Sequence, residues 1–242
     1  MGGISVAGSN ASAQQQQRTG LLTRTVRIGA AAYDYQVYVP AKMREGAKLP
    51  VIVFLHGIGQ RGEGGFVPAQ GGANAMLRSY LEQIPAIVLL PQCRSGRYWH
   101  DPEMDRMVME SLRQTVAEFE GDESRLYLTG VSMGGFGAWH LASQHAGKFA
   151  ALVPICGGSS IIAADRFSPV ARGVGRTPVW VFHGADDPIV PVSESRGMVA
   201  ALKAAGGNVR YNEYAGVGHN VWIKVLSETE LLPWMLAQRL HR

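Results

Sequence analysis

The sequence predicts an α/β fold, with a mostly parallel, twisted sheet, helices on both faces and an antiparallel hairpin at the N-terminal edge. Three observations carry this reading. Short apolar runs ("VIVFL", "AIVLL", "RLYL", "FAALVPI", "TPVWVF") each end in a polar or glycine-rich turn. Segments of helical period lie between several of them, which is the grammar of parallel βαβ units. No composition break or internal repeat divides the chain, so a single domain is expected over residues 23–242.

Residues 1–22 are small, polar and glutamine-rich, and are read as a disordered tail or the remnant of an export signal. Ala11-Ser12-Ala13 has the small-residue pattern of a secretory cleavage site, while residues 1–10 lack a basic start and a continuous apolar stretch. Secreted, periplasmic and cytoplasmic locations stay open.

"TRTVRIG" and "DYQVYVP" alternate as half-buried strands do and form the edge hairpin, ending at Pro40. Val51 to Leu55 is a run without alternation, as expected of a strand covered on both faces. Met104, Val108, Leu112, Val116 and Phe119 recur at three- or four-residue spacing and mark a helix. A second helix continues "FGAWHLASQ", and a third places Met198, Leu202 and Ala205 on one face before a glycine stop. "VRYNEYAG" gives the last strand. "SETELLPWMLAQRLHR" gives a terminal helix that Pro233 kinks or starts.

Composition narrows the function. The chain has 242 residues, 46% hydrophobic and 17% charged, with a net charge of only +4 and no basic block, which argues against nucleic-acid binding. No apolar run approaches the roughly 20 residues that span a bilayer. Cys93 and Cys156 form no metal-ligand motif and are read as buried thiols. His140 and His145, five apart on one helix, do not share a face as a metal pair would. No metal and no cofactor are expected, and nothing in the sequence sets the oligomeric state.

The chemistry-bearing residues gather at the carboxyl ends of the predicted strands, where open α/β sheets bind ligands. Gly130-Val131-Ser132-Met133-Gly134 fits the G-x-S-x-G elbow, a sharp strand-to-helix turn that presents a serine. His56-Gly57-Ile58-Gly59 follows "VIVFL", Asp186-Asp187 follows "VWVFHG", and His219 follows the last strand. A serine hydroxyl needs a base to become nucleophilic, histidine titrates in the right range, and an aspartate fixes the imidazole tautomer. Spacing alone does not separate Asp186 from Asp187. The backbone N–H of Met133, just after the serine, is one candidate oxyanion donor. Ile58 is the best second and Gly59 a weaker one. Gly59, Trp99 and Trp222, with Phe66, are candidates for lining a substrate pocket. Arg61 and Arg97 either meet an anionic group or face water. His56 and His183 begin "HG" turns and are read as orienting loops.

With these motifs in view, the chain resembles the phospholipase/carboxylesterase and dienelactone-hydrolase-like group of α/β hydrolases. It is most similar to single-domain bacterial esterases often labelled predicted peptidases of the prolyl-oligopeptidase type. The stretches that carry the resemblance are "VIVFLHGIGQRG", "PQCRSGRYWHDP", "RLYLTGVSMGGFGAWHLA", "LVPICGG", "VWVFHGADDPIVPV" and "YAGVGHNVW". The resemblance implies an α/β-hydrolase fold and a catalytic Ser132, Asp187 and His219. Its implied activity is serine carboxylesterase action on a small-molecule ester, with short to medium acyl chains. Ser132 stands where dienelactone hydrolases proper carry cysteine. Only about twenty residues (157–176) separate two consecutive strands, too few for a large cap domain. Alternatives are hydrolysis of larger or polymeric esters (feruloyl, acetyl-xylan, polyhydroxyalkanoate), a peptidase, and a non-catalytic binding protein on the same fold.

Overall fold

Eight strands form one sheet in the computed structural model, which describes residues 19–41, 46, 48–63 and 80–240. In chain order they are β1 (Gly20–Ile28), β2 (Ala31–Val39), β3 (Val51–Leu55), β4 (Ile87–Pro91), β5 (Leu126–Val131), β6 (Ala151–Ile155), β7 (Val179–Gly184) and β8 (Val209–Tyr214). Across the sheet the order is β1-β2-β4-β3-β5-β6-β7-β8. β2 pairs antiparallel with both β1 and β4, and every pairing from β4 to β8 is parallel. The Ala11-Ser12-Ala13 pattern and Phe66 lie outside the described residues.

β1 begins at Gly20, before the alternation that starts at Thr23. Leu21 and Leu22 break the alternating pattern because both are apolar, and they pack into different layers, one on each side of the sheet. The central strands are split the same way. Val53 and Leu55 of β3 join one layer while Ile52 joins the other, so a run without alternation fills both faces.

Four helices contribute to the first layer: α1 (Pro102–Glu118), α2 (Met133–Gln144), α3 (Ser168–Val174) and α4 (Ser193–Ala204). α1 starts with Pro102 after Asp101, where a proline's missing N–H costs nothing, and buries Met104, Met107, Val108 and Leu112. Val116 packs at its margin, and Phe119 caps the end of the helix. Trp139 and Leu141 of α2, with Met198 and Leu202 of α4, complete that layer. Removing each such large side chain from water contributes about 1.5–3 kcal/mol.

The opposite layer is covered by α5 (Trp222–Leu226) and α6 (Leu231–Ala237) through Val225, Leu231 and Met235. The terminal helix expected from Ser227 onward is α6, shorter than the stretch that suggested it, and α5 precedes it. Pro233 sits in the first turn of α6, where its backbone nitrogen has no helical acceptor to lose. Helix α3 was not legible in the sequence. It is seven residues long and lies in the short connection between β6 and β7, which carries no large cap.

Candidate active site

Ser132 follows β5 directly and adopts φ 57° and ψ −119°, a left-handed conformation that a side-chain-bearing residue enters only under strain. The flanking glycines allow it. A Cβ on Gly130 would overlap the Gly134 carbonyl, and one on Gly134 would overlap the carbonyl oxygen of Leu55 on β3. The elbow is further fixed by the Ser132 N–H, which donates to the Ile155 carbonyl at 2.9 Å, and by the Phe136 N–H, which donates to the Ser132 carbonyl at 3.0 Å.

Three residues far apart in the chain meet at this elbow. The Ser132 hydroxyl lies 2.9 Å from His219 Nε2, and His219 Nδ1 lies 2.7 Å from Asp187 Oδ2. This arrangement fixes the tautomer: Nδ1–H donates to the carboxylate and Nε2 accepts from the hydroxyl. The other oxygen, Asp187 Oδ1, accepts the N–H groups of Ile189 (2.8 Å) and Val190 (2.9 Å). Burial pushes the Asp187 carboxyl up, but His219 and the two amides outweigh it and hold the group below the ordinary carboxylate value. Asp186 is exposed, and its backbone N–H donates to the Val217 carbonyl at 3.0 Å. The ambiguity between the two aspartates is thus resolved geometrically: Asp187 alone of the pair reaches the imidazole.

Two candidate oxyanion donors stand in first turns. Met133 opens α2, and Ile58 opens a 3₁₀ turn, Ile58–Gln60. N–H groups in such positions have no acceptor within their own helix. The Gly57 backbone approaches the elbow closely, since a Cβ there would lie 3.8 Å from the Ser132 Cβ. Gly59, in the middle of the 3₁₀ turn, is exposed with open space beside it.

His56 ties this loop down. Its Nδ1–H donates to the Gly57 carbonyl at 2.8 Å, and its Nε2 accepts the Cys93 N–H at 3.1 Å. Gln92 adds a second tie by donating to the Gln60 carbonyl at 2.7 Å. Burial, opposed by the Gly57 carbonyl and assisted by the charge of Arg61, pushes His56 down to about 4. Trp99 belongs to the same support and not to a pocket. It is fully buried, its indole N–H donates to the His56 carbonyl at 2.9 Å, and its ring fills the space left by Gly137. The expectation that Trp99 lines a substrate pocket is corrected on that ground. Trp222, half-buried at the start of α5, keeps an exposed part near His219 in the chain. Arg61 lies over the Tyr98 ring at 5.3 Å, and Arg97 is 3.4 Å from Glu103.

Three features lay beyond the sequence reasoning. His183, fully buried, places Nε2 2.9 Å from the Val190 carbonyl and 3.3 Å from Asp187 Oδ2, and Nδ1 accepts the Ser195 hydroxyl at 2.7 Å. The "HG" pattern gave its position but not this partner. Gln92 had no motif of its own. His140 and His145 do converge, on Asp105 of α1, at 3.7 Å and 2.8 Å. The helix stops at Gln144, and the non-helical backbone of His145 turns its ring back, which five-residue spacing on an unbroken helix forbids.

Among the described residues, one group of side chains comes close enough to share an ion: Cys156, Asp187 and His219, whose ligand atoms lie within 4.8 Å of one another. Burial pushes the Cys156 thiol up to about 12, so it stays a protonated, poor ligand, while His219 Nδ1 is already engaged by Asp187. Cys93 is likewise free, buried and pushed up to about 12.

The family model for phospholipase/carboxylesterase matches residues 100–230. A bifunctional acetylxylan esterase/xylanase of Neocallimastix patriciarum is 27% identical over 176 residues, covering 72% of this chain and 24% of that protein. An acyl-protein thioesterase 1 of Gibberella zeae is 40% identical over 55 residues, 23% of each chain. The chain thus spans about a quarter of the length of the curated relatives it matches. Among solved structures, a thermostable esterase superposes with a TM-score of 0.76 at 31% identity, covering 90% of this chain and 63% of that one. A ferulic acid esterase shares the fold with a TM-score of 0.68 at 18% identity, covering 89% and 97%.

Proposed function

The chain belongs to the phospholipase/carboxylesterase family of α/β hydrolases, and from that premise we propose that it is a serine carboxylesterase acting on short- to medium-chain esters. The observation that carries the proposal is the continuous contact from Ser132 Oγ through His219 to Asp187, at 2.9 Å and 2.7 Å.

In this reading Ser132 Oγ attacks the ester carbonyl while His219 Nε2 takes its proton. Asp187 stabilises the imidazolium that forms. The Met133 and Ile58 amides receive the negative charge on the carbonyl oxygen, each such donor being worth roughly 3 kcal/mol to the transition state. His219 then passes its proton to the departing alkoxide, which leaves as the alcohol, and Ser132 holds the acyl group. A water molecule that gives its proton to His219 attacks the acyl-enzyme, and collapse of this second intermediate returns the proton to Ser132 and releases the acid. The uncapped connection between β6 and β7 supports an open site and hence small or medium acyl groups.

The test is hydrolysis of nitrophenyl esters of graded chain length, together with labelling by a fluorophosphonate probe. Ser132→Ala is expected to lower kcat by about 10³-fold or more and to abolish labelling. A Ser132→Ala protein that keeps most of its activity refutes the mechanism. A wild-type chain that neither hydrolyses nor labels is a binding protein on this fold. A second reading, hydrolysis of polymer-borne esters, draws on the similarity to the acetylxylan esterase/xylanase. Acetyl-xylan and feruloyl substrates assayed beside the soluble esters separate the two.

A further inference from the structure

Asp187 Oδ2 meets two imidazoles. His219 Nδ1 lies 2.7 Å from it and His183 Nε2 lies 3.3 Å from it. The ester-cleaving sequence employs only the first. His183 belongs to β7, and its side chain has no exposed surface. An aliphatic residue would fill that space without the cost of taking a polar ring out of water, so the reason for a histidine lies in its contacts.

Those contacts assign the protons. Burial keeps the His183 ring on the neutral side, so it carries one N–H. Nε2 faces two acceptors, the Val190 carbonyl at 2.9 Å and Asp187 Oδ2. Neither brings a proton, since a carbonyl has none and Asp187 is held ionised by its own donors. The ring proton therefore sits on Nε2, and Nδ1 is an acceptor. Ser195, fully buried in the first turn of α4, lies 2.7 Å from Nδ1 and 3.1 Å from the Gly157 carbonyl. Its single hydroxyl proton serves Nδ1, the shorter contact. A donor on Nδ1 draws electron density from the ring and strengthens the N–H on the opposite side. An ordered series results: Ser195, His183, Asp187, His219, Ser132.

From this series we propose that His183 is a positioning residue which, polarised by Ser195, sets how firmly Asp187 holds the imidazolium form of His219. The proposal rests on the esterase reading and adds two residues to its machinery. Negative charge on Oδ2 that is directed at the His183 N–H is not available to His219, so the buried ring tempers the proton affinity of the catalytic one. At 3.3 Å, beside the shorter bond to Val190, the His183 N–H acts on Oδ2 as a dipole and not as a full hydrogen bond. Two further ionisable groups face this cluster. Cys156, after β6, has ligand-atom distances within 4.8 Å of Asp187 and His219, but burial keeps its thiol protonated. Glu213 of β8 pairs with His183 across the sheet, and its carboxylate is engaged by Arg196 and Tyr211.

The experiment follows kcat/KM for nitrophenyl acetate from pH 5 to 8.5, and the NMR titration of the His219 Nδ1 proton, in the full chain. The variants are His183→Asn, whose short amide can meet Ser195 but not Asp187, and His183→Gln, whose longer amide returns a donor toward Oδ2. His183→Asn is expected to move the acid limb and the NMR midpoint to higher pH by about half a unit, a loss of about threefold on that limb. His183→Gln is expected to restore both. Ser195→Ala, which removes one oxygen, is expected to move them the same way by less, and it decides alone if His183→Asn does not fold. A lower plateau or a lower stability with an unmoved limb means a purely structural role and overturns the proposal. So does a shift to lower pH, or the same shift in His183→Gln as in His183→Asn. Failure of the esterase reading is distinguishable: wild type would leave the ester intact, while the NMR midpoints still judge whether His183 acts through Asp187 on His219.

Discussion

His56 makes the loop that carries Ile58 sensitive to acid, and the size of the effect follows from its surroundings. The folded protein holds the imidazole neutral by burial, moving it from an ordinary value of 6.5 to about 4. In the unfolded chain the ring takes its proton near 6.5, so between these two values the unfolded state binds more protons than the native one. Stability therefore falls as pH is lowered through that window. The full shift corresponds to about 3 kcal/mol, of which about 2 kcal/mol is lost between pH 7 and pH 5. Against a typical domain stability of roughly 5–15 kcal/mol this is a large fraction. Protonation also removes the acceptor for the Cys93 N–H, so the loop is expected to loosen where the proposed oxyanion donor, the Ile58 amide, stands. The assay is urea unfolding followed by tryptophan fluorescence at pH 7, 6 and 5, for wild type and His56→Gln. Other buried histidines contribute equally to both proteins and cancel in the difference. The advantage of wild type over the variant should shrink by about 2 kcal/mol from pH 7 to pH 5. A difference that stays constant to within about 0.5 kcal/mol over that range means that His56 is not held neutral in the folded state, and the argument fails.

The two neighbouring aspartates should part company in steady-state kinetics on a soluble nitrophenyl ester. Asp187→Asn is expected to lower kcat by about 10³- to 10⁴-fold and Asp186→Asn to change it less than about twofold; comparable losses from both would remove Asp187 from its assigned place. His183→Asn should cost about 1–3 kcal/mol in urea unfolding, because the smaller side chain cannot serve both the Val190 carbonyl and the Ser195 hydroxyl. A variant as stable as wild type would show that these buried contacts contribute nothing.

The alternation of the hairpin, the unbroken runs of β3 to β7 and the periodicity of α1 were legible because each is a local pattern that a face of the fold imposes. Ser132 was legible for the same reason: the glycines beside it answer to close backbone approaches that no larger residue survives. The choice between Asp186 and Asp187 was not legible in their spacing, since both sit in one turn and the path of the turn decides which carboxylate faces His219; the family resemblance was what pointed to Asp187. Trp99 misled because an indole beside a loop motif reads equally as pocket wall or as core, and its one polar atom finds a backbone carbonyl inside the protein. Helix α3 escaped because seven residues carry too little period to register. The convergence of His140 and His145 on Asp105 depends on where a helix stops, and the sequence leaves that boundary uncertain by a few residues.

Asp187 stands between two histidines, and burial separates their roles. His219 and His183 both place a ring nitrogen against Oδ2, at 2.7 Å and 3.3 Å. The His219 side chain is 28% exposed and its far nitrogen meets Ser132, so it can take a proton from the hydroxyl and return it to a departing group or receive one from water. The His183 side chain has no exposed surface, and its far nitrogen is occupied by Ser195, so it has no route for a proton and burial keeps it on the neutral side. Its N–H then acts as a fixed dipole beside the carboxylate, alongside the Ile189 and Val190 amides on Oδ1. With so many donors, Asp187 stays ionised despite lying out of water, and its contribution to stability is present above the ordinary carboxylate range and lost only as pH falls through its depressed value. A carboxylate anchored in this way cannot follow the imidazole if the ring moves. His219 is therefore held in one orientation through Nδ1, and its Nε2 points at the serine before any substrate arrives.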